Sequence, residues 1–228
     1  MTDRRPVVVL GGASGAIVAE ALHEIDRAGG ALRCAGYLND VLPADAKIGG
    51  LPVLGRFDDW PELPADTLFV SVLHKAKEAS ARIARIDGLG IPEDRWTAVR
   101  HPRAAVAAGV PVGPGSYIAP HAAVMPGAAV GRHNSLRPGC SVGHDTVLGD
   151  FVFVGPNATL NGNCRAGDGA HIGPNAVIRE ETSVGALAVV GMGSVVLEDV
   201  PDGTLVAGNP ARPVRRLDPS GAWVRFGG

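Results

Sequence analysis

A period of six constrains this chain more than any other feature. From Val106 to Val196 every sixth residue is apolar and small to medium in size: Val106, Val112, Ile118, Val124, Val130, Leu136, Val142, Leu148, Val154, Leu160, Ala166, Ile172, Ile178, Val184, Val190 and Val196. The register does not slip across these sixteen positions. An amphipathic helix repeats at about 3.6 residues and a half-buried strand at about two, so neither produces this pattern. A fixed hexapeptide repeat is the sequence mark of a parallel β-helix. Three hexapeptides close a triangular coil of roughly 18 residues, with the recurring aliphatic pointing inward. Stacked coils lie about 4.8 Å apart and satisfy one another's backbone, so no coil is stable alone. Glycine directly follows many of the aliphatics, as in Val142-Gly143, Leu148-Gly149, Val154-Gly155, Ile172-Gly173 and Val190-Gly191. This places the start of a corner at that glycine, with a positive φ expected there.

Upstream of the repeat the pattern is α/β. Val7–Leu10 reads as a buried strand, followed by Gly11-Gly12-Ala13-Ser14-Gly15 and a helix from about Ala16 to Arg27. Val18, Leu22 and Ile25 share one face of that helix, and Gly29-Gly30 ends it. Cys34–Leu38 is a second strand, closing on Asn39-Asp40. This is a Rossmann-like βαβ unit whose glycine loop suits a phosphate at the helix N-terminus. The loop is not a complete G-x-G-x-x-G, so by itself it reads equally as a plain tight turn. Thr67–Val72 continues as a third parallel strand, Lys75–Leu89 as a helix burying Ala79, Ile83 and Ile86, and Trp96–Val99 as a last strand. At His101-Pro102 the proline forces an extended residue before it and marks the boundary. The division expected is residues 1–100 as an α/β unit, 101–200 as the β-helix and 201–228 as a C-terminal strand and tail. After Val196 the period fails.

Composition narrows the function classes. A formal net charge of −2 gives no case for nucleic acid as a partner. No apolar run has membrane-spanning length, and Arg4-Arg5 leads into too short an apolar run for a leader peptide. Cys34, Cys140 and Cys164 are too few and too scattered for a disulfide frame, which points to reduced thiols and a cytoplasmic location. His121, His133, His144 and His171 are separated by 12, 11 and 27 residues and lack the close pair a β-helix zinc site would use. No metal is expected.

His144-Asp145 interrupts the bland composition of its coil. It lies two residues after the inward Val142, so its side chains leave the core. A neutral imidazole can take a proton from an amine or hydroxyl, and Asp145 can fix its tautomer. One coil on, at 144 + 18 = 162, stands Gly162, which leaves room for a ligand and offers an N–H to an oxyanion. Spacing alone serves a solvated corner histidine just as well.

Several segments, in order, resemble a known family. They are Gly12-Ala13-Ser14-Gly15, Gly36-Tyr37-Leu38-Asn39-Asp40, Pro52-Val53-Leu54-Gly55, His101-Pro102, the hexapeptide repeats, Val142-Gly143-His144-Asp145 and Gly208-Asn209-Pro210-Ala211-Arg212. Over nearly the whole length the chain is similar to the bacterial sugar O/N-acetyltransferases, which include N-acetyltransferases of nucleotide-linked 4-amino-4,6-dideoxy sugars. The resemblance implies a left-handed β-helix, a homotrimer, and acetyl-CoA as cosubstrate bound between neighbouring prisms. It assigns His144 as base, Asp145 as its partner, and Gly162 as the amide that meets the acetyl carbonyl. Phe153, Gly162, Pro174, Met192 and Asn209 fall at coenzyme-contacting positions. Ser14, Gly15, Asn39 and Asp40 fall at the nucleotide-sugar positions.

Three departures lie toward the acceptor. Ala16 stands where the family often has histidine, Leu73-His74-Lys75 with Glu78 where it has a Gly-Asn loop and an arginine, and Arg137-Pro138 where it has Asn-Thr or Asn-Cys. Arg137 reads either as a solvated corner residue or as a contact to an anion of the acceptor, phosphate or carboxylate. These departures leave one rival reading, a non-catalytic nucleotide-binding scaffold protein of a polysaccharide pathway.

Overall fold

Strand pairing in the repeat region runs at an offset of eighteen. Ser135 pairs with Tyr117 and Phe153, Ser141 with Ala123 and Thr159, and Val147 with Ala129 and Arg165. The structure is a computed structural model that describes residues 4–226. Its repeat region is a left-handed parallel β-helix with three flat faces. The first face carries Tyr117, Ser135, Phe153, His171 and Val189; the second Ala123, Ser141, Thr159, Val177 and Val195; the third Ala129, Val147, Arg165 and Ser183.

From Ile118 onward every predicted inward aliphatic is buried. A second inward ladder with the same period lies four residues after each: Ala122, Ala128, Asn134, Cys140, Thr146, Val152, Ala158, Cys164, Ala170 and Ala176 are all buried. Small side chains are required there because the corners converge on the axis. The polar members satisfy corner backbone. The Asn134 amide donates to the Gly149 carbonyl, and the Thr146 hydroxyl donates to the Asn161 carbonyl. Cys140 and Cys164 are rungs of this ladder.

The corner differs from the sequence expectation. Positive φ falls three residues after each aliphatic, at every sixth position from Gly109 to Gly193. Nine of these are not glycine: His121, His133, Asp145, Phe151, Asn157, Asn163, Asn175, Glu181 and Leu187, with φ of 55–61°. The glycines directly after the aliphatics have no positive φ. They are glycines because the next coil leaves no space. A Cβ on Gly155 would sit 2.6 Å from the Pro174 nitrogen and 2.8 Å from the Gly173 carbonyl carbon.

In the N-terminal unit, β1 (Arg5–Leu10) leads through the glycine loop to α1 (Ala16–Arg27) and β2 (Leu32–Leu38). β3 (Lys47–Ile48), β4 (Leu51–Gly55) and β5 (Leu68–Ser71) complete a sheet of order β3-β4-β2-β1-β5. α1 buries Val18, Ala19, Ala21 and Leu22. α2 spans Ala79–Asp87 after a 3-10 turn at Ala76–Glu78, shorter than the helix expected.

Two ends of the prism also depart from expectation. The sequence predicts a last α/β strand at Trp96–Val99, yet Trp96 makes only a bridge to Phe69. β6 (Val99–Arg100) pairs with Tyr117-Ile118 as a rung of the first face, so winding begins before His101. Winding also continues past Val196. Val200 bridges Val184, and Thr204–Gly208 pairs in parallel with Val189-Val190. The step from Val196 to Val200 is four residues rather than six, so counting loses a wall that the backbone retains. Ala211–Leu217 and Trp223–Arg225 then turn back antiparallel.

The N-terminal unit docks on the first face. His133 stacks on Phe151 at 4.6 Å and meets the edge of Trp96 at 4.5 Å, while Phe153 stacks on His171 at 4.3 Å beneath His74. Arg132 bridges Asp150 of the prism to Asp87 of α2.

The two kinds of corner residue should respond oppositely to substitution. Gly155→Ala forces backbone apart and should destabilise by about 1–3 kcal/mol, the usual cost of overpacking. Asn157→Gly, at φ 56°, should change stability by less than about 0.5 kcal/mol. Denaturant midpoints measure both, and equal tolerance at the two sites would contradict this corner geometry.

Candidate active site

At the corner between the second and third faces, the backbone turns through Gly143, His144 and Asp145. Asp145 is the left-handed residue of that corner, with φ 56°, a conformation aspartate tolerates better than most. This turns its carboxylate back beside the preceding ring. His144 Nδ1 lies 2.9 Å from Asp145 Oδ2. A carboxylate only accepts, so Nδ1 carries the proton and Nε2 presents a lone pair. Among the described residues Nε2 has no hydrogen-bond partner. Both side chains are more than half exposed, at 62% and 61%. The pair is open to a substrate from outside the prism.

Glycines one coil away on either side make room for the pair. A Cβ on Gly162 would collide with His144 Nε2, Cε1 and Cδ2, so the ring lies directly against that glycine. On the other side, a Cβ on Gly127 would collide with Asp145 Oδ1. The Gly162 N–H donates to no group among the described residues. His144, Asp145 and Gly162 are thus brought together. Gly127 was missed by the sequence reading, although the step that found Gly162, taken backward from Asp145, leads to it.

The expected coenzyme positions fall at two other places. Pro174 and Met192 stack one coil apart at the corner between the first and second faces, with Asn209 beyond them. Met192 is 79% exposed there. Within one chain this corner and that of His144 flank the second face. Phe153 is not at either corner. It projects from the first face and packs between His171 and His74 under the N-terminal unit.

A separate cleft of about 660 Å³ opens at the strand ends of the N-terminal unit. Gly11, Gly12, Ser14, Asn39 and Asp40 line it, together with Lys75, Glu78, Arg82 and Arg85. The expected contacts need revision in detail. Gly15 is not in the lining; it packs beneath Val9 and Tyr37, where a Cβ would be 3.0–3.1 Å from each. Asn39 is a buried clasp, its amide donating to the Gly11 carbonyl and its oxygen accepting from the Val41 and Leu42 amides. Asp40 accepts from the Phe57 amide and from Arg85, so both its oxygens are engaged. The cations of the lining lie on α2 and just before it, each paired with a carboxylate, and the sequence reading did not single out Arg82 or Arg85. Their signal was present: Glu78, Arg82 and Arg85 recur at helical spacing on a face beside that of Ile83 and Ile86. Glu78 holds Arg82 at 2.8 Å and also pairs with Lys75.

Arg137 leaves the corner toward the first face, with its guanidinium 5.9 Å from the Phe153 ring centre. It is half-buried, and burial pulls its pKa down. His144 is one full prism side away in the same chain. The cysteines are unsuited to act as nucleophiles: burial pushes the Cys34 thiol up to about 11 and the Cys140 thiol up to about 12. Among the described residues no group of three or more His, Cys, Asp or Glu side chains is placed to hold a metal ion, and no helix is long and apolar enough to cross a membrane.

A family profile described as "Bacterial transferase hexapeptide (six repeats)" matches residues 145–180. No curated protein matches the chain in a sequence search. Among solved structures, the chain is similar to the acetyltransferase domain of PglB from Neisseria gonorrhoeae FA1090 in complex with acetyl coenzyme A. That match has 28% identity and a TM-score of 0.79, covering 92% of this chain and 100% of the other. WeeI from Acinetobacter baumannii AYE matches at 27% identity and TM-score 0.76, covering 91% and 99%. PerB from Caulobacter crescentus, in complex with CoA and GDP-perosamine, matches at 25% identity and TM-score 0.76, covering 91% and 96%. The expected likeness to bacterial sugar acetyltransferases and the left-handed β-helix are both borne out.

Three histidines at the seam between the N-terminal unit and the first face tie stability to pH. Burial holds His74, His133 and His171 at about 4, below an unfolded value of 6.5. Each binds fewer protons folded than unfolded within that window, so stability is complete above about 6.5 and is lost as pH falls toward about 4. The apparent Tm should be flat near pH 7–8 and decline through that window. His171→Phe should make the decline shallower. A flat profile to about pH 4 would contradict the neutral, buried state of these rings.

Proposed function

From a chain built on the plan of the bacterial sugar acetyltransferases, we propose an acetyl-CoA-dependent N-acetyltransferase acting on a nucleotide-linked amino sugar. The observation that carries the reading is the His144–Asp145 pair held against Gly162, with Nε2 free to accept a proton. Asp145 holds the tautomer. His144 Nε2 takes the proton from the acceptor amine as its nitrogen bonds to the thioester carbonyl carbon. The Gly162 N–H donates to the oxygen that gains negative charge. His144 returns the proton to the sulfur as the carbon–sulfur bond breaks, so no covalent enzyme intermediate forms.

The N-terminal cleft supports the nucleotide half of the acceptor. Its volume suits a ligand of that size, and Lys75, Arg82 and Arg85 outnumber Glu78 and Asp40 as charges in its lining. The family resemblance implies a 4-amino-4,6-dideoxy ring. The bound coenzymes and the GDP-perosamine belong to the similar structures and favour acetyl-CoA and a nucleotide sugar here. A homotrimer follows from the same reading. The His144 corner and the Pro174–Met192 corner lie on opposite edges of one face, so a single groove holding both needs a second prism. Met125, Val177, Leu197 and Met192 stand exposed along that face and its corners, which suits such packing. A cytoplasmic location accords with the three free, buried thiols.

His144→Ala should lower kcat by about 10²–10⁴ with little change in the KM for acetyl-CoA, and Asp145→Asn should cost less. The measurement is thiol release from acetyl-CoA with UDP-, GDP- and dTDP-linked amino sugars. Near wild-type turnover in His144→Ala removes the base from the mechanism. No turnover with any of these acceptors favours the non-catalytic scaffold.

A further inference from the structure

The seam between the N-terminal unit and the first face holds polar groups that the folded chain leaves unmet. Arg137 is half-buried, yet its guanidinium meets no carboxylate and donates no hydrogen bond among the described residues. Of the other partly buried arginines, Arg82 finds an acceptor on Glu78, Arg85 on Asp40 and Asp58, Arg95 on two carbonyls, and Arg132 on Asp150 and Asp87, while Arg215 of the C-terminal hairpin, far from this seam, has none among the described residues. The positions one, two and three coils further along the same corner are Gly155, Gly173 and Gly191, so packing does not demand a long side chain at 137. A desolvated cation without a partner is costly, and a ligand anion removes that cost.

His74 supplies the second unmet group, and its chemistry is determined by its neighbour. His74 Nε2 lies 2.8 Å from the His133 carbonyl oxygen, which only accepts, so Nε2 carries the proton. Nδ1 is therefore a lone pair, and it is buried without a partner. What meets it must donate, as a hydroxyl does. Ser135 Oγ on the same face is also buried and unpartnered. Phe153 lies between these groups, with Arg137 over its ring and the His74 ring 6.0 Å away. His74 also lines the nucleotide cleft, so the seam continues from that cleft. The cleft has its own cations for a diphosphate in Lys75, Arg82 and Arg85. Arg137, over the Phe153 ring, is not part of that lining.

We propose that Arg137, His74 and Ser135 form the ring subsite of the acceptor, and that they select a nucleotide-linked sugar bearing a carboxylate in place of the deoxy methyl that the family resemblance implies. Arg137 donates to the carboxylate, and His74 Nδ1 accepts from a ring hydroxyl. The inference rests on the nucleotide-sugar reading above and narrows it.

Calorimetric titration of the full chain tests it with two matched pairs, UDP-glucuronate against UDP-glucose and GDP-mannuronate against GDP-mannose, with UDP and GDP alone as references. In the pair whose nucleotide binds, the acid should bind at least about tenfold more tightly than the neutral sugar, the scale of a charge-assisted contact. Arg137→Gln should bring that ratio close to one, and Arg137→Lys should retain part of it. Equal affinities for acid and neutral sugar in the wild type overturn the proposal. So does an Arg137→Gln variant that weakens the nucleotide alone as much as the acid sugar, because the arginine then serves the diphosphate. If Arg137→Gln does not fold, the wild-type ratio and the Arg137→Lys variant decide. Absence of binding by any nucleotide overturns the reading of function itself, and this inference with it.

Discussion

Each coil of the prism is the hydrogen-bonding partner of the coils eighteen residues before and after it, and the rest of the structure depends on that stacking. The Gly143 amide reaches the Leu160 carbonyl, the Gly155 amide the Ile172 carbonyl, and the Asn163 amide the His144 carbonyl. At this spacing the backbones of successive corners nearly touch. Side chains just after each inward aliphatic are excluded wherever the next corner presses closest, and glycine results. Three residues on, the chain must turn left-handed, and the sequence places glycine at six of these positions, asparagine or aspartate at four and bulkier residues at five.

The candidate catalytic corner is one solution to this constraint. Asp145 occupies the left-handed position, which places its carboxylate beside the His144 ring. Gly127 and Gly162 keep the coils on either side from crowding the pair. The same stacking presents a flat first face, on which the N-terminal unit rests through His133, Phe151, Phe153 and His171. Burial pushes the pKa of both imidazoles, His133 and His171, down. His74 lines the N-terminal cleft and also meets Phe153, over which Arg137 lies, so the cleft and the seam adjoin. In the proposed enzyme the acceptor would lie along this face, with the base at a different corner, and assembly of prisms would join them.

Much of this was legible from residue counting because an eighteen-residue coil converts sequence separation directly into contact. The inward ladder and the placement of Gly162 over His144 both followed from it. The second inward ladder has the same period, but its alanine, asparagine, cysteine and threonine members look like ordinary corner residues until convergence at the axis is considered. Glycine misled at the corners. It signals positive φ and close approach alike, and here the conspicuous glycines serve close approach. Counting also failed at the step from Val196 to Val200, where a shortened corner broke the period without ending the helix. Asn39 and Asp40 fall at ligand-contacting positions by resemblance, but whether a polar side chain is free depends on partners distant in sequence, such as Gly11 and Arg85. That is settled only by the fold.

The central claim is that coil stacking makes Gly162 and His144 a single functional unit. A double-mutant cycle on kcat, read by thiol release from acetyl-CoA with the amino-sugar acceptor, measures this directly. Gly162→Ala pushes a methyl group into the space of the His144 ring and should cost about 10²-fold in the otherwise native chain. In a His144→Ala background there is no ring to displace, and the same substitution should cost only the few-fold loss from a disturbed N–H donor. Losses that simply multiply, with Gly162→Ala equally harmful in both backgrounds, would show the two residues acting independently and would contradict the account.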